Sequence, residues 1–222
     1  DSGVIQTQAT KYLQQAKDAA AAIMAETYAL SPNYLTAYNS DNLSSDGNEV
    51  LLYKRYESGQ LMHSLIAYLY SSTVINGLTK SAVESYLSSN GKPISISGEY
   101  MGDNSITDLV TNRDKRLLYT IDSTYLYYKG HVKISITSST GYRVTKFLPD
   151  SNKLKAIPTA INTNYTDAPL FLLSEVYLNY IEAAAELDQM GKYTLTQTDI
   201  DNTINKLRAR GKVDPMILAG HQ

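Results

Sequence analysis

Residues 168–187, APLFLLSEVYLNYIEAAAEL, decide how this chain is read. Leu173, Val176, Tyr177, Tyr180, Ile181, Ala184 and Leu187 recur at the three- and four-residue spacing of one helix face, while Glu175, Asn179, Glu182 and Glu186 fall off it. The stretch is expected to be an amphipathic helix with a buried seam. Downstream, TDIDNTINKLRAR (198–210) supplies a partner. Thr196 followed by Asp199 has the form of an N-cap with an acid that reaches back to free backbone N–H groups. Ile200, Ile204 and Leu207 share a face, and Lys206, Arg208 and Arg210 in the last turn suit the helix dipole. A short connection containing Gly191 sets the two antiparallel, as a helical hairpin of the tetratricopeptide kind.

Toward the N-terminus, Ile5, Ala9, Tyr12 or Leu13, Ala16, Ala19 or Ala20, and Ile23 mark a helix over 5–28 whose alanine-rich stripe admits a close neighbour. A polar loop (31–50) follows, then EVLLYKRY (49–56) as a short buried strand, and GQLMHSLIAYLYSS (59–72), which fits helix or strand. Thr79 is a candidate N-cap for KSAVESYLSS, closed by Asn90-Gly91, and NSITDLVTN (104–112) reads as another short helix. Residues 116–148 are rich in Tyr, Ile, Val and Thr with Gly turns, which predicts two to four short strands. The expected fold class is mainly α with small β elements: tetratricopeptide-like helical hairpins plus an irregular loop and strand insert. Within a single region spanning 1–222, a scaffold helix occupies 1–30, the insert 31–168 and the C-terminal hairpin 169–212.

Twenty basic against twenty-two acidic residues give a net charge of -2, which lacks the basic footprint of a nucleic-acid binder. The longest apolar run, AAAAIMA (19–25), falls well short of the roughly 20 residues of a spanning helix. The absence of cysteine excludes disulfides and thiolate zinc sites. His63, His131 and His221 share no metal-binding spacing, and NLSSDG (42–47) fails as a calcium loop because Tyr53 stands where the bidentate Glu belongs. No GxSxG, GxGxxG or Walker sequence occurs, and Glu175, Glu182 and Glu186 read as a solvated helix face. Neither catalysis, cofactor nor metal is expected. The chain opens on DSGVIQTQAT, as a mature, trimmed or partial protein would. Nineteen tyrosines against two phenylalanines are the compositional oddity, suited to half-buried surfaces and to recognition of polar rings.

PLFLLSEVYLNYIEAAAEL followed by IDNTINKLRAR resembles the Glu-Val-x-Leu-x-Tyr-x-Glu-Ala helix and Ile-Asn-x-x-Arg-x-Arg partner of the SusD/RagB family of outer-membrane nutrient-binding lipoproteins of Bacteroidetes. GNEVLLYKRY (47–56), LTKSAVESYLSSNGKPI (78–94), NRDKRLLYTI (112–121) and TGYRVTKF (140–147) match in family order. Two departures stand out: Leu172 replaces an Arg ahead of the Glu-Val core, and Gly211-Lys212 replaces Ala-Gly after the final Arg. The lipid-bearing Cys, the first helical repeats and the family's C-terminal segment are not in this sequence, which reads as a middle portion of a longer protein.

The resemblance implies a non-catalytic, lipid-anchored protein of the outer-membrane surface that captures glycans, or in some members peptides, for a SusC-like TonB-dependent transporter. It implies a ligand site in the insert, without naming its residues. Sugars require aromatic platforms with nearby hydrogen-bonding groups. That points to GEYMGDN, with Tyr100, Asp103 and Asn104, and to DSTYLYYKG, with Tyr125, Tyr127 and Tyr128. Strand alternation would divide the latter three between two faces. Arg113, Asp114 and Arg116 read as a structural ion-pair cluster. A helical-repeat scaffold for a protein partner is the alternative.

Overall fold

The computed structural model describes residues 2–46, 48–70, 76–121, 138, 140–147 and 160–219. In chain order its elements are α1 (Ser2–Met24), α2 (Thr36–Asn39), α3 (Leu43–Asp46), β1 (Val50–Lys54), α4 (Leu65–Tyr70), α5 (Lys80–Glu84), α6 (Ile106–Val110), α7 (Lys115–Thr120), β2 (Ala168–Leu172), α8 (Leu173–Gln189), α9 (Gln197–Asn202) and α10 (Ile204–Arg210). The fold is mainly helical with one two-stranded sheet.

The seam of α8 is as expected: Leu173, Val176, Tyr177, Ile181, Ala184 and Leu187 are buried, Tyr180 is half-buried, and Glu175, Asn179, Glu182 and Glu186 face solvent. The apolar run ahead of it is not helix. Residues 168–172 are extended and pair antiparallel with β1, Val50 opposite Leu172 and Lys54 opposite Ala168. Pro169 lacks the N–H that a helix interior or central strand would use, and an edge position tolerates it. β1 itself is only half-buried, with Val50 inside and Leu52 exposed, because a two-stranded sheet leaves one face open.

The most extensive partner of α8 is α1. The two run antiparallel. Thr10 Oγ1 lies 3.8 Å from Met190 Sδ, the Lys17 ammonium lies 5.7 Å from the centre of the Tyr180 ring, and Ala20 packs with Leu173, Val176 and Tyr177. Small side chains on α1 let the axes approach closely. Leu207 of α10 joins the same cluster, so the C-terminal partner does lie on the oily flank of α8, whereas Ile204 is half-buried beside it.

That partner is two helices rather than one. Thr203 (φ -126°, ψ -88°) breaks it, and the buried Thr203 hydroxyl donates back to the Asp199 carbonyl at 2.6 Å, so it stays satisfied at the break. The capping box is present: Asp199 N–H donates to Thr196 Oγ1 at 3.3 Å, and Thr196 N–H donates to Asp199 Oδ2 at 2.9 Å. Asp199 Oδ1 accepts the Tyr180 and Tyr193 hydroxyls at 2.8 and 3.0 Å, so the cap also ties α9 to α8.

In the insert, Thr79 caps α5 and Ser105 caps α6 through their side-chain oxygens. Val83, Leu109, Leu117, Ile121 and Tyr142 form a second core. The expected strands from 116 onward are corrected over 116–120, which belong to α7: Asp114 accepts Arg116 N–H at 2.9 Å, and this cap prevails over the β-favouring composition. Residues 122–137, including Tyr125, Tyr127 and Tyr128, lie outside the described residues. Among the described residues no helix is long and apolar enough to cross a membrane.

Burial raises the Asp199 pKa, but the Thr196, Tyr180 and Tyr193 donors outweigh it and hold the carboxyl below its usual range. Its stabilising effect is therefore complete above the ordinary Asp value of about 4 and vanishes as pH falls through the lowered native value. Asp199→Asn should lower stability at neutral pH by about 1–2 kcal/mol in chemical denaturation. Its deficit relative to wild type should shrink below about pH 4.

Candidate functional site

A single strap, residues 160–168, builds the cavity that stands out as a binding site. Asn164 is buried and exchanges backbone hydrogen bonds with His63 at 2.8 and 3.0 Å, while its Oδ1 accepts Ile66 N–H at 2.9 Å at the start of α4. Asp167, also buried, accepts Leu43 N–H at 3.0 Å and Tyr56 N–H at 2.9 Å on its two carboxylate oxygens, and donates its own N–H to Ser40 O at 2.8 Å. Three segments distant in sequence are thus fixed to the strap by two residues.

Between them lies a cavity of about 550 Å³, lined by Tyr38 of α2, Tyr56, His63, Leu65 and Tyr68 around α4, Phe147, and the β2 residues Ala168, Pro169 and Leu172. Its size and apolar lining suit a small organic ligand. Tyr56 and His63 meet edge to face at 4.5 Å between centroids, and Tyr38 and Phe147 do so at 5.8 Å. His63 is fully engaged: Nδ1 accepts Leu65 N–H at 3.2 Å, so Nε2 carries the proton and donates to Thr166 O at 3.0 Å. Among the described residues the Tyr56 and Tyr68 hydroxyls have no hydrogen-bond partner, and Tyr68 is exposed. The wall therefore offers flat rings with unengaged O–H groups, while its histidine and carboxylate serve the backbone.

Behind Tyr38 sits a charged cluster. Arg210 of α10 reaches Glu49 at 2.5 Å, and its guanidinium lies 5.0 Å from the centre of the Tyr34 ring. Arg116 pairs with Asp114. The Lys146 ammonium lies over Tyr38 at 3.9 Å from the ring centre. Burial, reinforced by the neighbouring Tyr34 and Glu49, drives the Tyr38 hydroxyl well above its ordinary pKa, so it stays protonated. Arg116 is held above its usual value: burial lowers it, but Asp114 more than compensates.

Of the residues expected from the sequence, the described ones, Tyr100, Asp103 and Asn104, are not among those lining this cavity. The Tyr100 ring covers the buried Arg113 guanidinium at 5.4 Å, and Asp103 pairs with Lys80 at 3.3 Å. Asn104 is exposed and also interacts within the chain. Arg113 is not an ion-pair member as expected. It donates to the carbonyls of Val83 (2.8 Å), Tyr86 (2.9 Å) and Leu109 (3.3 Å), where the last turns of α5 and α6 leave acceptors exposed. Sequence reading missed Tyr38, Tyr56 and Tyr68 because they fall in a loop, after a strand and in an ambiguous run. His63 is a lone histidine with no sequence signal. Among the described residues no three His, Asp or Glu converge as a metal site.

The sequence model of the SusD family matches residues 38–220. The chain belongs to the SusD family. No curated protein sequence matches it. Among solved structures it is similar to a SusD-like carbohydrate-binding protein from Bacteroides fragilis (TM-score 0.68, 21% identity, 96% of this chain and 43% of that one). It is also similar to a SusD superfamily protein from Parabacteroides distasonis (TM-score 0.52, 17% identity, 95% and 41%) and to surface glycan-binding protein A from Bacteroides thetaiotaomicron (TM-score 0.51, 16% identity, 96% and 45%). It spans less than half the length of each of these proteins. One departure from the SusD pattern has a local cause. A Cβ built at Gly211 would stand 2.4 Å from Asp114 Oδ1 and 3.0 Å from Arg116 Nε, which leaves no room for Ala, and Lys212 takes the left-handed exit (φ 52°) that Gly ordinarily fills.

Removing one member of the buried Glu49–Arg210 pair should be severe. Glu49→Ala is expected to cost about 3–5 kcal/mol in urea unfolding, and adding Arg210→Met should recover part of that loss.

Proposed function

We propose that the chain is the binding portion of a non-enzymatic, cell-surface protein that captures a glycan in the cavity between the Tyr56–Tyr68 wall and the Tyr38–Phe147 wall. The observation that carries this reading is the pairing of aromatic platforms with unengaged hydroxyls in about 550 Å³, the combination that a sugar's C–H faces and hydroxyl rim require. Membership of the SusD family and the fold shared with proteins described as carbohydrate- and glycan-binding support it. The saturated hydrogen bonding of His63 and Asp167 argues against acid–base chemistry in the cavity. By the same family reading, the whole protein is anchored by lipid at the outer-membrane surface and passes its ligand to a SusC-like, TonB-dependent barrel. Tyr100, Asp103 and Asn104, with Tyr125, Tyr127 and Tyr128, are a second candidate surface in the insert.

A scaffold role for a protein partner is favoured by one observation: α1 and α8 leave an open groove of about 780 Å³ edged by alanines and by Tyr12, which is 65% exposed. Affinity electrophoresis against a glycan panel separates the readings. Each stacked ring contributes on the order of 1 kcal/mol. The double variant Tyr56→Ala/Tyr68→Ala should therefore weaken retention roughly tenfold or more with the thermal melt unchanged. Retention equal to wild type would move the site to the Tyr100 surface; retention of no glycan by the wild type, with binding to the barrel alone, would favour the scaffold.

A further inference from the structure

Lys146 precedes Phe147 and is enclosed by rings: its ammonium lies 3.9 Å from the centre of Tyr38, 5.3 Å from Tyr34 and 5.9 Å from Phe147. Tyr38 and Phe147 are also walls of the aromatic cavity. The charges that face Lys146 come from three other parts of the fold. Arg210 is paired with Glu49, and Arg116 is paired with Asp114. Among the described residues these two carboxylates, Glu49 and Asp114, each hold a guanidinium. Among the described residues Lys146 itself forms no ion pair or hydrogen bond, and one positive charge is left over beside the cavity. The carboxylate on the lining, Asp167, has its oxygens turned onto Leu43 and Tyr56 N–H groups and offers Lys146 no partner.

A half-buried ammonium with ring faces in place of part of its water shell attracts an anion more strongly than an exposed lysine does, because the surrounding dielectric is lower and no fixed carboxylate competes. Burial already pushes the Lys146 amine below its ordinary pKa, and an adjacent anion opposes that shift. We infer that Lys146 sets the ligand class: the oligosaccharide taken by this cavity carries an anionic substituent, a carboxylate or a sulfate, held against the ammonium while a sugar face lies on the neighbouring rings. This rests on the glycan-binding reading of the same cavity.

The test is calorimetric titration of the full-length protein with matched oligosaccharide pairs, one neutral against uronate-bearing and one neutral against sulfated, at low salt. The charged member of at least one pair should bind about tenfold more tightly, or about 1.4 kcal/mol; which pair shows it tells carboxylate from sulfate. Lys146→Gln should bring that pair within about twofold, and Lys146→Arg should keep the preference. Equal binding of neutral and charged members by the wild type overturns this inference and leaves glycan capture standing. A preference that survives Lys146→Gln overturns the role of Lys146. Binding of no oligosaccharide at all removes the glycan reading and this inference with it.

Discussion

Glu49 is the junction on which the rest depends. Its carbonyl accepts the Leu173 N–H that opens α8, at 2.8 Å, while Oε2 of its side chain accepts Ser31 N–H at 3.0 Å and the Arg210 guanidinium at the end of α10. It is 1% exposed. One residue at the mouth of β1 therefore fixes where α8 starts, how the chain leaves α1 and where the last helix ends. A buried charge tolerates this only while its partner stays in place, so the position of α10 is set by electrostatics as well as by Leu207 in the apolar seam.

The cavity inherits its shape from that junction. β2 ends where α8 begins, and the strap bearing Asn164 and Asp167 runs directly into β2. Moving α8 would drag the strap and with it the backbone of His63, Ile66 and Tyr56, which Asn164 and Asp167 hold. The walls are thus positioned by buried polar groups, while the rings add area and the face of the site. Such a division of labour lets ring identity change without loss of the frame.

Legibility in the sequence followed physical locality. The α8 seam, the Thr79 cap, the short helix over NSITDLVTN and the Thr196–Asp199 box were readable because each depends on residues within a few positions of one another. Residues 168–172 were misread because a continuous apolar run has the same pattern in a buried helix as in a strand, and the pairing with β1 is made more than a hundred positions away. The break at Thr203 leaves the apolar spacing intact, so periodicity passes straight through it. The cavity was illegible for the same reason as β2. Tyr38, Tyr56, Tyr68 and Phe147 share no local pattern: Asn164 and Asp167 gather the segments of the three tyrosines, and Phe147 joins them by packing on Ile66 and Leu69.

The excess of tyrosine over phenylalanine becomes intelligible when the hydroxyls are followed individually. A half-buried tyrosine whose O–H is engaged within the fold is structural: Tyr180 and Tyr193 bond to Asp199, and Tyr86 donates to Thr120 Oγ1 at 3.1 Å. Phenylalanine at those places would leave an acceptor buried without its donor. Tyr56 and Tyr68 are different: the Tyr56 ring packs on His63 and Tyr68 is exposed, and their hydroxyls have no hydrogen-bond partner among the described residues. On the glycan reading proposed above, these are the hydroxyls left for a ligand. The distinction separates rings engaged within the fold from rings left open without reference to where in the chain they fall.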